Sequence, residues 1–394
     1  MAAWRSQLFE REGRAAGVDP AILANAVAMA DLLTVPGLPP VFTLAHLAQQ
    51  AGVEYGALRN VAKRSPNEGY RTFRIRKRPA HTAERRYRLI AIPSANLMKV
   101  QRWITQAILS RAAAHSASVA FSKGDTLVAA ASPHCGSKWL IKLDVRNFFE
   151  SINEIAAYRV FRSLGYQPLV SLEMARLSTR LGSFSPRRAT DRWRVKFWRG
   201  SGYRWSEIEA YQVLTGGWSP MQGHLPQGAP TSPMLANLAM RGFDAEATEI
   251  ARSHGMTYTR YADDLTLSID GAFSKAECSK VIGKIYRLMG SVGLSPNLTK
   301  TRVSPPGARK IVLGLLVDGD RPRLSREFRA LMRLHLHYLK KPDVGPVLHA
   351  RARGFVSVAG FRNHVRGLAT YARQVDPNYG DALLRSLDEI HWPV

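Results

Sequence analysis

Tyr258-Thr259-Arg260-Tyr261-Ala262-Asp263-Asp264-Leu265-Thr266-Leu267-Ser268-Ile269 is the stretch on which the fold turns. Apolar and aromatic residues flank the two adjacent acids, so the acids interrupt strand material. In one continuous strand Asp263 and Asp264 would point to opposite faces. A tight turn between two strands is the better geometry, because it brings both carboxylates near one place. An aspartate pair by itself most often marks a solvated turn. The apolar frame here favours a buried acid cluster, which is costly without metals or strong partners.

Working outward, Leu140 to Val145 is a second short strand-like segment, and Asp144 near its end supplies a third carboxylate. Phosphoryl transfer onto a 3′-hydroxyl needs divalent ions that activate the nucleophile and stabilise the leaving oxygens. Hard carboxylate oxygens suit magnesium. A helix is predicted from Lys275 to Met289, and Ile311 to Val317 reads as a further apolar strand. Upstream, Ala21 to Leu33 has helical spacing and ends before Pro36-Gly37-Leu38-Pro39-Pro40. Leu44 through Val61 reads as two short helices joined at Gly52, docked on the main body rather than reading DNA independently. Lys63 to Ile90 alternates basic and apolar residues as an irregular hairpin, and Leu97 to Ala114 is helical. Helices follow from Ser325, with breaks near Pro342, Pro346 and Pro377.

Several of these segments together resemble the reverse transcriptase family. Tyr261-Ala262-Asp263-Asp264 is similar to its metal-binding signature, and Leu143-Asp144-Val145-Arg146-Asn147-Phe148-Phe149-Glu150-Ser151-Ile152 to its first palm motif. Leu225-Pro226-Gln227-Gly228-Ala229-Pro230-Thr231-Ser232-Pro233 resembles the second palm motif. Lys300 in Asn297-Leu298-Thr299-Lys300-Thr301 matches a basic motif, and Leu313-Gly314-Leu315-Leu316-Val317 resembles the primer-grip hairpin. The order is the family's own, over roughly residues 60 to 320.

The resemblance implies an α+β right hand: an N-terminal helical extension over 1–60, fingers over 61–135, an antiparallel-sheet palm over 136–324, and a helical thumb over 325–394. It implies RNA-directed DNA polymerisation, with Asp144, Asp263, Asp264 and the Val145 carbonyl holding Mg2+. Arg88, Gln227, Gly228, Ala229 and Lys300 would meet the incoming deoxynucleoside triphosphate or the template. Phe149 would lie under the sugar and exclude a 2′-hydroxyl, and Gly314 would approach the primer. A core phenylalanine, solvated charges at Arg88 and Lys300, and a helix-capping Gln227 are the bland alternatives.

Val119 through Gly136 resembles the segment before the first catalytic aspartate in bacterial retron reverse transcriptases. Two departures stand out: Ala130 where that subgroup has asparagine, and Ile311-Val312-Leu313-Gly314 where it has a valine-threonine-glycine motif. His134 is then either an RNA contact or a satisfied histidine in a turn. The retron resemblance implies a structured noncoding RNA as template and primer, nascent DNA on a 2′-linked branch, and antiphage defence with an effector protein. A non-retron defence reverse transcriptase and a catalytically degenerate RNA-binding scaffold are the alternatives.

The chain's 56 Lys and Arg against 30 acids give +26, which favours a polyanionic partner. A basic insertion is expected at about 176–204, where nine Arg and Lys residues face only Asp191. Arg187, Arg188, Arg192 and Arg194, interleaved with Phe184, Trp193, Phe197, Trp198 and Tyr203, are the candidate RNA contacts. Cys135 and Cys278 cannot build a cysteine-rich zinc site. No apolar run reaches membrane-span length, and Arg5, Glu10 and Arg11 break any signal-peptide core, so a cytoplasmic enzyme is expected.

Overall fold

The computed structural model describes residues 4–65, 69–76, 87–181 and 223–393. Four helices open the chain: α1 Ser6–Ala15, α2 Pro20–Thr34, α3 Leu44–Ala51 and α4 Tyr55–Ala62. The Asp19 carboxylate caps α2 by accepting from the Ala21 N–H, with Pro20 in the first turn. Gly52, left-handed at φ 65°, ends α3, so the two-helix reading of 44–61 holds. Leu33, Leu44, Leu47 and Leu58 belong to the same buried cluster as Ile141 and Leu265, which makes these helices part of the main body.

β1 Tyr70–Arg76 and β2 Tyr87–Pro93 pair antiparallel as the basic hairpin. Next come α5 Ala95–Trp103, continued by a wide turn over Ile104–Ile108, then α6 Leu127–Ala131, β3 Trp139–Asp144, α7 Phe148–Ser151, α8 Glu154–Ser163 and α9 Pro168–Ser178. After residue 223 follow α10 Ser232–Ala239, α11 Arg241–Arg252, β4 Thr257–Tyr261, β5 Asp264–Ile269 and α12 Lys275–Ser291. Ser274 and Glu277 form a capping box that starts α12.

β3, β4, β5 and β6 (Arg302–Ser304) form an antiparallel sheet in the order β4-β5-β3-β6. Side chains alternate across it. Ile141, Leu143, Leu265, Leu267 and Tyr258 share one face and enter the larger core. Leu140, Lys142, Asp144, Asp264, Thr266, Ser268 and Thr259 share the other. On this second face Leu140 joins another core and Thr259, Thr266 and Ser268 are buried, leaving only the end with Lys142, Asp144 and Asp264 partly open.

Ile311 to Val317 is not one strand. β7 Ile311–Val312 and β8 Leu315–Leu316 form a tight hairpin, joined by β9 Arg323–Leu324. Leu313 (φ 48°) and Gly314 (φ 84°) make the turn, and two successive left-handed residues cannot continue a strand. This small sheet packs in a second core with α13 Arg326–Lys340, α14 Gly345–Ala352, α15 Val358–Val375 and α16 Pro377–Asp388. The helices break near Pro342, Pro346 and Pro377 as expected, and Pro346 and Pro377 sit in the first turns of α14 and α16, where proline is well tolerated. No helix among the described residues is long and apolar enough to cross a membrane.

Candidate active site

The two-residue turn Ala262-Asp263 joins β4 to β5, with Tyr261 opposite Asp264. The register also sets Asp144 directly opposite Asp264, so both side chains emerge on the same sheet face. The Val145 N–H donates to the Asp263 carbonyl at 2.9 Å, tying the turn to the end of β3. Asp144, remote in sequence from the adjacent Asp263 and Asp264, therefore meets them, together with Val145, at the ends of the two central strands.

Two lysines answer their charge. Lys300 Nζ donates to Asp144 Oδ2, and Asn297 Nδ2 to Asp144 Oδ1 at 2.8 Å. Lys142 Nζ lies 2.9 Å from Asp264 Oδ2. Lys142 was not singled out from sequence, although its place two residues before Asp144 on a strand puts it on the same face. Burial pushes the Asp263 carboxyl above the ordinary range, and the Asp144 charge adds to the effect. Burial also raises Asp264, against the pull of Lys142.

Among the described residues no three acidic, His or Cys side chains are gathered into a ready metal cage. The three aspartates are nonetheless close enough for Asp144 and Asp264 to act on the charge of Asp263. The ion pairs of Lys142 with Asp264 and Lys300 with Asp144 offset part of the repulsion among the acids. The donor chemistry nevertheless fits Mg2+. The ligands are hard oxygens, and the like charges that raise Asp263 would be relieved by a cation.

Phe149 is half-buried, edge-on to Phe148 at 5.4 Å and 6.4 Å from Phe121. Phe121 in turn lies 6.0 Å from Tyr261, so Phe149 belongs to an aromatic group beside the acid turn. The second palm motif docks on β2: the Ala91 N–H donates to the Gln227 carbonyl at 2.7 Å. Gly228, at φ 108°, has no room for a side chain; a Cβ would stand 2.9 Å from Ile90 Cγ2 and 3.0 Å from the Ala91 oxygen. Ala229 is buried, and Arg88 is exposed on β2. At Gly314 a Cβ would stand 3.3 Å from the Tyr371 hydroxyl on α15.

His134 is corrected. Its ring is fully buried, with Nδ1 2.7 Å from Ser268 Oγ and Nε2 2.7 Å from Thr259 Oγ1. It clamps β4 to β5 and has no face left for RNA. Two arginines of the basic stretch are held by the described body. Arg176 bonds Glu154 at 3.0 Å and the Ala62 carbonyl, while Arg180 is buried and backbone-paired with His224. Arg187, Arg188, Arg192 and Arg194 lie outside the described residues.

Sequence reading also missed Arg260. It is fully buried behind the turn and chelates Asp244 through Nε (2.8 Å) and Nη2 (2.7 Å).

The family model for reverse transcriptase (RNA-dependent DNA polymerase) matches residues 75–312, and retron enzymes match over most of the chain. The chain belongs to the retron-type reverse transcriptases. It is 28% identical over 345 residues to the Retron Ec86 reverse transcriptase of Escherichia coli, covering 87% of this chain and 92% of that one. Identity to the Retron Mx65 reverse transcriptase of Myxococcus xanthus is 30% over 352 residues, covering 89% and 72%. Retron-type membership makes the chain an RNA-directed DNA polymerase, a nucleotidyltransferase, with the α+β fold described above.

Proposed function

We propose that this reverse transcriptase copies a cognate structured noncoding RNA that serves as both template and primer. Synthesis begins at an internal RNA 2′-hydroxyl, consumes deoxynucleoside triphosphates and leaves a branched RNA–DNA product. That product works in antiphage defence with a partner effector. The observation that carries the catalytic part is the pairing of Asp144 with Asp264 on one sheet face, locked to Asp263 through Val145. On this reading the β1–β2 hairpin belongs to the fingers, the four-stranded sheet is the palm, and the helices after 325 are the thumb.

Asp144, Asp263, Asp264 and the Val145 carbonyl would hold Mg2+. When bound, the metal lowers the pKa of the attacking hydroxyl and stabilises charge on the departing pyrophosphate. Lys300, which holds Asp144, would also contact the triphosphate, and Arg88 would meet the same phosphates from the fingers. Gln227 and Gly228, fixed against β2, let backbone approach the nucleotide and template. Phe149 supports the sugar and leaves no space for a 2′-hydroxyl. Gly314 allows close approach of the primer strand.

Expression from the native locus, with sequencing of bound RNA and any attached DNA, tests this reading. A single RNA species carrying DNA on a unique 2′,5′ branch is expected. Linear DNA without a branch would leave a non-retron defence polymerase. RNA binding without Mg2+-dependent extension of a primed template would leave a scaffold.

A further inference from the structure

Arg260 lies on the core-facing side of β4, opposite in direction to the acid face, yet it reaches the acid turn. Besides its bidentate pair with Asp244, its Nη1 donates to the Ala262 carbonyl (3.2 Å) and to Asn237 Oδ1 (3.3 Å), and its Nη2 to Ser118 Oγ (3.2 Å). The Tyr258 hydroxyl donates to the same Asp244 at 3.0 Å, and Asn237 Nδ2 to the Ala120 carbonyl at 2.6 Å. The Arg260 backbone is held as well, its N–H on the Ala117 carbonyl (2.7 Å) and its carbonyl on the Val119 N–H (3.0 Å). One guanidinium thus joins α10, α11, the 117–120 segment and the turn.

The turn needs such a hold. Ala262 stands at φ 54°, a left-handed conformation that alanine disfavours. Its carbonyl is bonded by Arg260 from behind, and the next carbonyl, of Asp263, by the Val145 N–H in front. With two successive peptides held from opposite sides, the direction of the Asp263 side chain is set.

Resting on the polymerase reading above, we infer that Arg260 is a positioning residue for nucleotide addition, acting through the turn that presents Asp263 and Asp264. Stability alone does not call for such a group, because buried ion pairs replaced by apolar side chains of similar volume often leave a protein as stable or more so. Rigid placement of the acids does call for it: a planar fork bonds several acceptors at fixed angles, which an ammonium or an apolar chain cannot do.

That difference supplies the test. In the triple variant Asp244→Leu, Tyr258→Phe, Arg260→Met the ion pair is replaced by apolar groups and no buried charge is orphaned. Thermal melting, single-turnover addition per burst-titrated active site, and the Mg2+-dependent shift in melting temperature without substrate are compared with wild type. A folded triple variant is expected to add nucleotides about 30- to 100-fold more slowly per active site, the scale of a misplaced reacting group. Its Mg2+ midpoint in both assays should rise severalfold. A rate and midpoint within about twofold of wild type would overturn the proposal, since a purely structural residue changes the active fraction and not the rate per site. If the triple variant fails to fold, Arg260→Lys decides on the same readouts, because it keeps the charge and loses the fork. Failure of wild type itself to extend a primer, or full activity in Asp263→Asn, would instead remove the polymerase reading on which the proposal rests.

Discussion

Asp263 and Asp264 hold their protons to higher pH than ordinary aspartates, chiefly because they are buried. A metal binds only the ionised form, so protons and Mg2+ compete for the same oxygens. The acid limb of primer extension is therefore expected to move to lower pH as Mg2+ is raised, and a limb that ignores Mg2+ would argue against direct ligation. Asp263→Asn or Asp264→Asn should lower nucleotide addition by about 100-fold or more in folded protein, because each removes metal-directed charge. Phe149→Ala should relax discrimination against ribonucleotides while leaving the acids in place. Single-turnover comparison of dNTP and rNTP incorporation checks it, and unchanged discrimination with good DNA synthesis would reject the sugar contact. His134 acts on stability instead. Burial, reinforced by the Lys142 charge, lowers its pKa to about 4. The unfolded chain binds that proton more readily, so this contribution is complete above about pH 6.5 and is lost as the pH falls toward 4. It amounts to something on the order of 3 kcal/mol. Melts across that range should steepen in wild type and flatten partly in His134→Asn. The flattening is only partial because His335, also lowered to about 4 by burial and by His349, titrates in the same window.

At the scale of elements, the second palm motif and β2 act as one unit through Ala91 and Gly228. Gly228→Ala would force a methyl into Ile90 and the Ala91 carbonyl at a backbone angle only glycine adopts easily. A loss of about 2–4 kcal/mol in thermal unfolding is expected, with a higher KM for deoxynucleotide. Unchanged melting and KM would show that β2 simply gives way. The elements themselves were legible wherever periodicity was long enough. The helices at 20–34 and 275–291, the split at Gly52 and the strand-turn-strand around Asp263 follow from spacing, cap residues and a two-residue turn. The hairpin at 311–316 was harder because two strands of two residues have no period, and the positive φ of Leu313 leaves no mark in composition. Arg260 was invisible for a different reason. An arginine in a strand reads as solvated charge until its partner is known, and Asp244 lies on a separate helix. His134 likewise needed Thr259 and Ser268 from two other strands before it could be seen as a clamp.

Across the whole molecule, the helices before residue 63 share a core with the sheet, and the C-terminal helices share another with the 311–324 sheet. The acid site lies on the body of the first core, whose buried residues run from Met29 to Leu294, while the charge excess of +26 belongs to the chain as a whole. Part of the basic character around 176–204 is already committed: Arg176 to Glu154 and Arg180 to a buried bridge with His224. That sharpens the expectation for the remaining arginines. Replacing Arg187, Arg188, Arg192 and Arg194 by neutral polar residues, with Trp193 and Trp198 kept, should weaken binding of the cognate RNA most at low salt. If all four contact phosphates, the slope of log affinity against log salt should flatten by roughly 3. Extension of a short primer-template supplied at saturation should change far less, because the acids and the nucleotide contacts are untouched. Affinity and salt slope equal to wild type would mean that these arginines do not touch RNA, and that the charge serving it lies elsewhere on the chain.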